Sequence, residues 1–387
     1  MKNPLSKVRL GILGSGQLAR ILALKCHEMG IIPYVLCTHS QDPAVQVTPH
    51  FIKGKIDSKK DLKKFLSQVD LATFENEFLD ASLLQNVSIA TDTPILPTPK
   101  IMNTLQDRLY QKKLLKQYKI PTADFIEISS KKQIDNLNFT KGFVLKARRH
   151  GYDGLGTLIV KQHNNKFTNN KNNNNNLKNN NNNQDIEQFL NKNSKVIAEE
   201  FISFQKEMAI ILVRNRKKQI IELPLVETHQ ENACCLWVKG PCQHSKKDQI
   251  VKKLKTMLNA IEYEGVIAFE LFANKDQLLV NELAPRVHNS GHYSLDGLSE
   301  DQFSLHIKAI LNLDIKPPIS SKGFAMLNLL GVSEESKKNC LPPPGIKLHW
   351  YGKQKTWSKR KMGHLTYLSS TANKSLAPLI EFNKKFS

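Results

Sequence analysis

Acidic residues are scarce in this chain. The 35 aspartates and glutamates face 56 lysines and arginines, and the formal charge at neutral pH is +21. Such a surplus suits nucleic acid, because a basic surface neutralises backbone phosphates. No RNA-recognition motif, zinc finger or basic helix accompanies it, so no nucleic-acid partner is expected. The lysines are scattered through a chain rich in Lys, Asn and Ile, which points to compositional bias plus a pocket for phosphorylated small molecules. Cysteine is also sparse. The six present form neither a C-x-x-C pair nor a zinc spacing, and Cys26 and Cys37 stand in apolar contexts, as buried thiols do. A reducing, cytoplasmic setting is expected. Long apolar runs are missing as well, and none reaches bilayer length. The first apolar stretch is cut by Gly14, Ser15, Gly16 and Gln17, where a signal peptide would continue. No membrane association is expected.

A chain of 387 residues with 40% hydrophobic content suits two or three domains. Residues 8–13 read as a strand, 18–29 as an amphipathic helix ended by Gly30, and 32–37 as a second strand. This order predicts a right-handed parallel unit. Its turn carries Gly11, Gly14 and Gly16, which would let backbone approach a phosphate at the helix N-terminus. A dinucleotide site would need a different glycine spacing and an acidic residue after the second strand, where Thr38 and His39 stand instead. Residues 71–74 read as another strand. Glu75, Asn76 and Glu77 follow at the edge where open α/β sheets bind ligands; a solvated loop is the alternative. The proline-punctuated residues 93–99 mark a domain boundary.

Residues 100–118 show one long helical pattern that includes Arg108. A strand over 142–146 ends in Lys146. Beyond Arg148 and Arg149 come Gly151, Gly154 and Gly156, which predict a lid over phosphates or a plain glycine-rich hairpin. The asparagine-rich tract within 162–194 cannot bury enough apolar surface to order itself, so an insertion at about 163–184 is expected to be disordered. Strands are predicted at 196–198, 208–214 and 220–222, and helices at 250–261 and 301–311. The tail alternates short β-like runs with Pro and Gly, which suggests a small β-rich C-terminal domain.

Residues 265–294 draw most of the chemistry together. Two apolar runs, 266–272 and 278–283, flank Asn274, Lys275 and Asp276 and read as a hairpin. A turn near 275–277 sets Glu270 opposite Glu282, on one face and within side-chain reach. Two carboxylates in apolar strands repel and lose hydration, so they call for a hard divalent cation. The plainer alternative puts one carboxylate in solvent and pairs the other with Lys or Arg. The polar segment from Pro285 to His292 leaves this hairpin, a favoured location for ligand-binding groups.

The segment N-E-L-A-P-R-V-H-N-S-G-H at 281–292 resembles the N5-carboxyaminoimidazole ribonucleotide synthetase family of ATP-grasp ligases. Further matches are G-S-G-Q-L at 14–18, T-F-E-N-E at 73–77, G-Y-D-G at 151–154 with Gly156, and R-K-M-G-H at 360–364. The resemblance implies an ATP-grasp fold, α/β and α+β, with an N-terminal Rossmann-like preATP-grasp domain (1–98), an ATP-grasp domain (99–312) and a β-rich tail domain (313–387). It implies the reaction of ATP, bicarbonate and 5-aminoimidazole ribonucleotide, with Mg2+ or Mn2+ on Glu270 and Glu282. ATP contacts carried over are Arg108, Lys146, Gly151, Tyr152, Asp153, Gly154, Gly156, Glu199, Glu200, Phe201, Ile202, Glu207, His229, Asn281 and Glu282. Substrate contacts are Gly16, Gln17, Glu75, Tyr152, Asp153, Lys353 and Arg360, and the catalytic group is Arg286, His288 and Asn289. A homodimer is expected. Leu155 departs from the family, which carries Lys or Arg there; this loses a charge-assisted contact.

Overall fold

The computed structural model describes residues 4–149, 151, 156–163, 166–169, 182–231, 233–338 and 341–386. Tyr152, Asp153, Gly154 and Leu155 therefore lie outside the described residues. The N-terminal part is a parallel sheet of four strands, Phe51–Lys53, Ile32–Cys37, Arg9–Leu13 and Leu71–Phe74 in spatial order. Its central strands are buried on both faces, which is why they read as continuous apolar runs. The helix Gln17–Glu28 buries Leu18, Leu22 and Cys26. It shares a core with Phe303 and Ile307 of the helix Gln302–Ile310, so the first and second parts pack together.

The expected helix over 100–118 is two helices, Pro99–Leu105 and Arg108–Gln117. Asp107 makes the break. It leaves helical geometry and its carboxylate accepts from the Leu109 N–H, as a helix N-cap does. The same carboxylate takes Arg148 at 2.7 Å. Binary patterning continued through the break, so the periodicity did not reveal it.

A five-stranded sheet follows, in the order Phe125–Ile128, Val196–Glu200, Gly142–Ala147, Thr157–His163, Lys166–Asn169. The stretch 163–184, expected to be disordered, is thus ordered at both ends. Lys166–Asn169 pairs with Thr157–His163, and a helix, Asn182–Lys192, begins within it.

The third sheet has nine strands. It includes Gln277–Ala284, Gly265–Asn274 and Lys206–Arg214, then Val226–Glu231 and Cys234–Gly240, which periodicity did not single out. The tail strands Gly323–Leu330, Lys361–Ser369 and Ile346–Trp350 continue this same sheet. Gly323–Leu330 bonds directly to Cys234–Gly240. Among the described residues no helix is long and apolar enough to cross a membrane. Cys26, Cys37, Cys234, Cys235 and Cys242 form no disulfide.

Candidate active site

Gly265–Asn274 and Gln277–Ala284 pair antiparallel, and Glu270 stands opposite Glu282. The turn is Lys275 and Asp276 alone, since Asn274 pairs with Gln277. That register would set Asn281 against Glu270. A bulge after Glu270 absorbs Asn281 and moves Glu282 into place. Bulges commonly re-aim side chains next to functional sites. Burial, reinforced by Glu282 and then Glu207, pushes the Glu270 carboxyl well above the usual range. Burial acts the same way on Glu282, but Arg108 and Lys146 outweigh it and hold that carboxyl below the usual range.

Arg108 is the first residue of its helix. Its Nη2 donates to Glu282 Oε2 at 3.0 Å and to the Gly151 carbonyl at 3.1 Å. Lys146 donates to Asn281 Oδ1 at 2.9 Å and to Glu199 Oε2 at 3.0 Å. Lys112 reaches the same Glu199 oxygen at 3.0 Å. Glu199 is thus a buried carboxylate between two ammonium groups. Burial raises its pKa, yet Lys146 and Lys112 prevail and lower it. Lys112 itself is lowered by burial to about 8. It was missed as a site residue. The signal was its place four residues after Arg108, one turn along the same helix face.

Around this group, Gly156 has φ +69°, and its carbonyl accepts from the Ala147 N–H at 2.8 Å. Glu200 and Phe201 follow Glu199, with the Phe201 N–H on the Gly142 carbonyl at 3.1 Å and the Lys161 ammonium over the Phe201 ring. Ile202 is half-buried. Burial raises Glu207 to about 7. His229 is exposed and stacks on Trp237 with ring centres 5.1 Å apart.

The loop after the hairpin is clamped at each step. Arg286 pairs with Glu77, a second residue that sequence reading left out of the site, although it ends the T-F-E-N-E run. Gln302 accepts from the His288 N–H at 2.9 Å and donates to its carbonyl at 2.7 Å. His288 Nε2 lies 3.5 Å from Glu270 Oε1. Burial, then Arg286 and Lys361, keep its imidazole neutral. Asn289 pairs with Asn328.

At the N-terminal turn, Glu75 Oε1 accepts from the Gly16 N–H at 2.8 Å and Oε2 from the Ala19 N–H at 3.0 Å. A side chain at Gly14 or Gly16 would strike this carboxylate at 2.7 or 2.9 Å. The glycines thus admit the chain's own Glu75, where the sequence suggested a phosphate. Burial raises the Glu75 carboxyl, opposed by the Gly16 and Ala19 N–H groups. Gln17 begins the helix behind them. Lys353 donates to the Lys361 carbonyl at 2.7 Å and is near enough to Glu75 to act on its charge. The Arg360 guanidinium lies 4.0 Å over the Trp357 ring. The Gly352 carbonyl takes Gln46 Nε2 at 2.7 Å, so the tail closes on the N-terminal part beside the turn.

Two carboxylates with adjoining cations fit a divalent ion bridged to phosphates: the donors are hard oxygens, and Glu270 has no cation as close as Arg108 is to Glu282. Among the described residues no cluster of three or more protein ligands forms, so remaining ligands would come from the nucleotide and water.

Comparison with known proteins bears on this geometry. Residues 7–106 match the ribonucleotide synthetase preATP-grasp domain, 113–303 the ATP-grasp domain, and 325–377 the phosphoribosylaminoimidazole carboxylase C-terminal domain. The N5-carboxyaminoimidazole ribonucleotide synthase of Synechococcus elongatus is 32% identical, over 94% of this chain and 90% of its own. The N5-carboxyaminoimidazole synthetase of Staphylococcus aureus with ADP superposes with a TM-score of 0.85 at 29% identity, over 98% and 97% of the two chains. The Aspergillus clavatus synthase, in complex with ADP and 5-aminoimidazole ribonucleotide, gives 0.83 at 25% identity, over 98% and 100%.

Proposed function

Because the chain belongs to the N5-carboxyaminoimidazole ribonucleotide synthase family, we propose that it carboxylates 5-aminoimidazole ribonucleotide with bicarbonate at the expense of ATP, in purine biosynthesis. Bicarbonate is a poor electrophile. An oxygen of bicarbonate attacks the γ-phosphorus of ATP, the bond to the β-phosphate oxygen breaks, and ADP leaves. The resulting carboxyphosphate delivers its carbon to the exocyclic amine and releases phosphate. Phosphoryl transfer of this kind needs positioning and charge neutralisation more than covalent help.

In this reading Arg108 and Lys146 hold phosphate oxygens, and Lys112 keeps Glu199 ionised beneath Lys146. Residues 199–202 border the adenine through backbone groups, with Glu207 at the ribose and His229 at the rim. Mg2+ or Mn2+ on Glu270 and Glu282 would neutralise the transferring phosphates. Arg286, His288 and Asn289 cover the intermediate and exclude water. Glu75, Lys353 and Arg360 receive the ribonucleotide, with the turn at Gly16 and Gln17 behind Glu75. The domains are taken as 1–98, 99–312 and 313–387, and the working form as a cytoplasmic homodimer. The observation that carries the reading is Glu282 facing Glu270 while bonded to Arg108.

ADP release should require both bicarbonate and the aminoimidazole nucleotide. Release that ignores the nucleotide would remove the acceptor. A second reading, a nucleotide-binding protein without turnover, is favoured by Leu155. It predicts ATP binding with no ADP formed under any combination, and recovery in the Leu155→Arg variant.

A further inference from the structure

Asn289 is oriented from the far end of the chain. Asn328 lies within the strand Gly323–Leu330 and is 1% exposed. Its Nδ2 donates to Asn289 Oδ1 at 2.7 Å, and its Oδ1 accepts from Asn289 Nδ2 at 3.0 Å. A reciprocal amide pair alone has two equivalent forms, related by turning both groups over. The Cys235 carbonyl removes that choice, because it accepts from Asn328 Nδ2 at 2.9 Å. An amide oxygen in that place would face another oxygen in a buried setting, at the cost of an unsatisfied pair. Asn328 must therefore present nitrogen, and Asn289 must return an oxygen.

The consequence falls on the remaining Asn289 hydrogen. One N–H is spent on Asn328. Among the described residues the other approaches only His292 Nδ1, at 3.5 Å, a length too great to hold it; that nitrogen is closer to the Tyr351 hydroxyl at 3.1 Å. Gln302 already fixes the backbone of His288 on both sides, so what Asn328 decides is the sense of the side chain.

We infer that Asn328 is a positioning residue that presents Asn289 as an N–H donor to an anionic oxygen of the acyl-phosphate intermediate, with the Asn289 oxygen turned toward Asn328. This rests on the proposed function and on Asn289 facing the intermediate.

The test uses the full-length protein with Asn328→Asp, Asn328→Leu, Asn289→Leu and the Asn289/Asn328 double leucine variant. The aspartate is isosteric but has no N–H for Cys235 or Asn289. It should lower kcat by about tenfold or more, as loss of orientation near reacting atoms does, and leave the ADP dissociation constant within about twofold. The double variant should be no slower than Asn289→Leu alone, since the two act as one unit. Circular dichroism checks folding, and if the leucine variants do not fold the aspartate decides alone. Unchanged kcat, additive losses, or ADP affinity falling in step with kcat would each overturn the inference. If the natural protein itself shows no bicarbonate- and aminoimidazole-dependent release, the functional reading fails first and this inference falls with it.

Discussion

Two places in this molecule bring a carboxylate to a position built for charge, and they are finished differently. At the turn over residues 14–16, Glu75 lies on the Gly16 and Ala19 N–H groups, so a helix N-terminus that could take an anion is occupied by the chain. At the hairpin, Glu270 meets Glu282, and Arg108 answers only Glu282. The first place meets its carboxylate with backbone donors; at the second, among the described residues, Glu270 lacks a cation as close as the one Glu282 has. Unbalanced buried charge costs stability unless something arrives to pair with it. The comparison teaches where a ligand is needed for charge and where the protein has supplied its own.

The largest effect should follow from breaking the hairpin pair. Glu282→Gln should lower turnover by about a thousandfold or more, with folding unchanged by circular dichroism. Turnover near that of the natural protein would take Glu282 out of the metal site. Next comes the seam between the two regions. His306 Nδ1 accepts from the Val266 N–H at 3.1 Å, and Nε2 meets Thr73 Oγ1 at 2.9 Å, joining the hairpin strand to the N-terminal sheet. Burial lowers this imidazole from 6.5 to about 4. The folded pKa is depressed, so the neutral ring's contribution is full above pH 6.5 and is lost as pH falls toward 4. About 3 kcal/mol should disappear across that window. Denaturant titrations at a series of pH values would read this, and a profile shallower by that amount in His306→Gln is the matching expectation, since His288, His292 and His364 are also held neutral by burial.

Glu75→Gln sharpens the contrast further. Its amide nitrogen would oppose one of two backbone donors, so about 1–2 kcal/mol of stability should be lost. The KM for the aminoimidazole nucleotide should rise about tenfold with that for ATP unmoved. Glu270→Gln should do the reverse in the metal-free protein, gaining about 1 kcal/mol by removing like-charge repulsion, while the stabilisation conferred by added Mg2+ disappears. Thermal melts of both variants with and without Mg2+ give the comparison directly. Shifts of the same sign would end it.

Much of this was legible in the sequence, for identifiable reasons. The parallel N-terminal unit announced itself through apolar runs and glycine punctuation, and the hairpin through its short polar turn. The Glu270–Glu282 facing was also expected, but from a turn one residue wider than the real one, and the bulge at Asn281 restores the pairing. Such a bulge leaves no local trace, because it is a property of the pairing between two strands and not of either run alone. The cap at Asp107 was hidden because periodicity runs through it on both sides. Lys112, Glu77 and Asn328 take their meaning from Glu199, Arg286 and Asn289, which lie far off in sequence. No window of residues contains both halves of such a contact. The glycines of the first turn were read for a phosphate; in the structure the carboxylate of Glu75 makes the close approach.

The placement of the tail strands bears on how the molecule is made. Gly323–Leu330 covers the edge of Cys234–Gly240, and Gly352 meets Gln46 near the opposite end of the chain. A ribosome delivers the N-terminal strands first and these last ones late. Until then a sheet edge stays uncovered, and such edges invite pairing between chains. Premature stop codons between residues 240 and 323 should therefore yield insoluble fragments, not a smaller working enzyme.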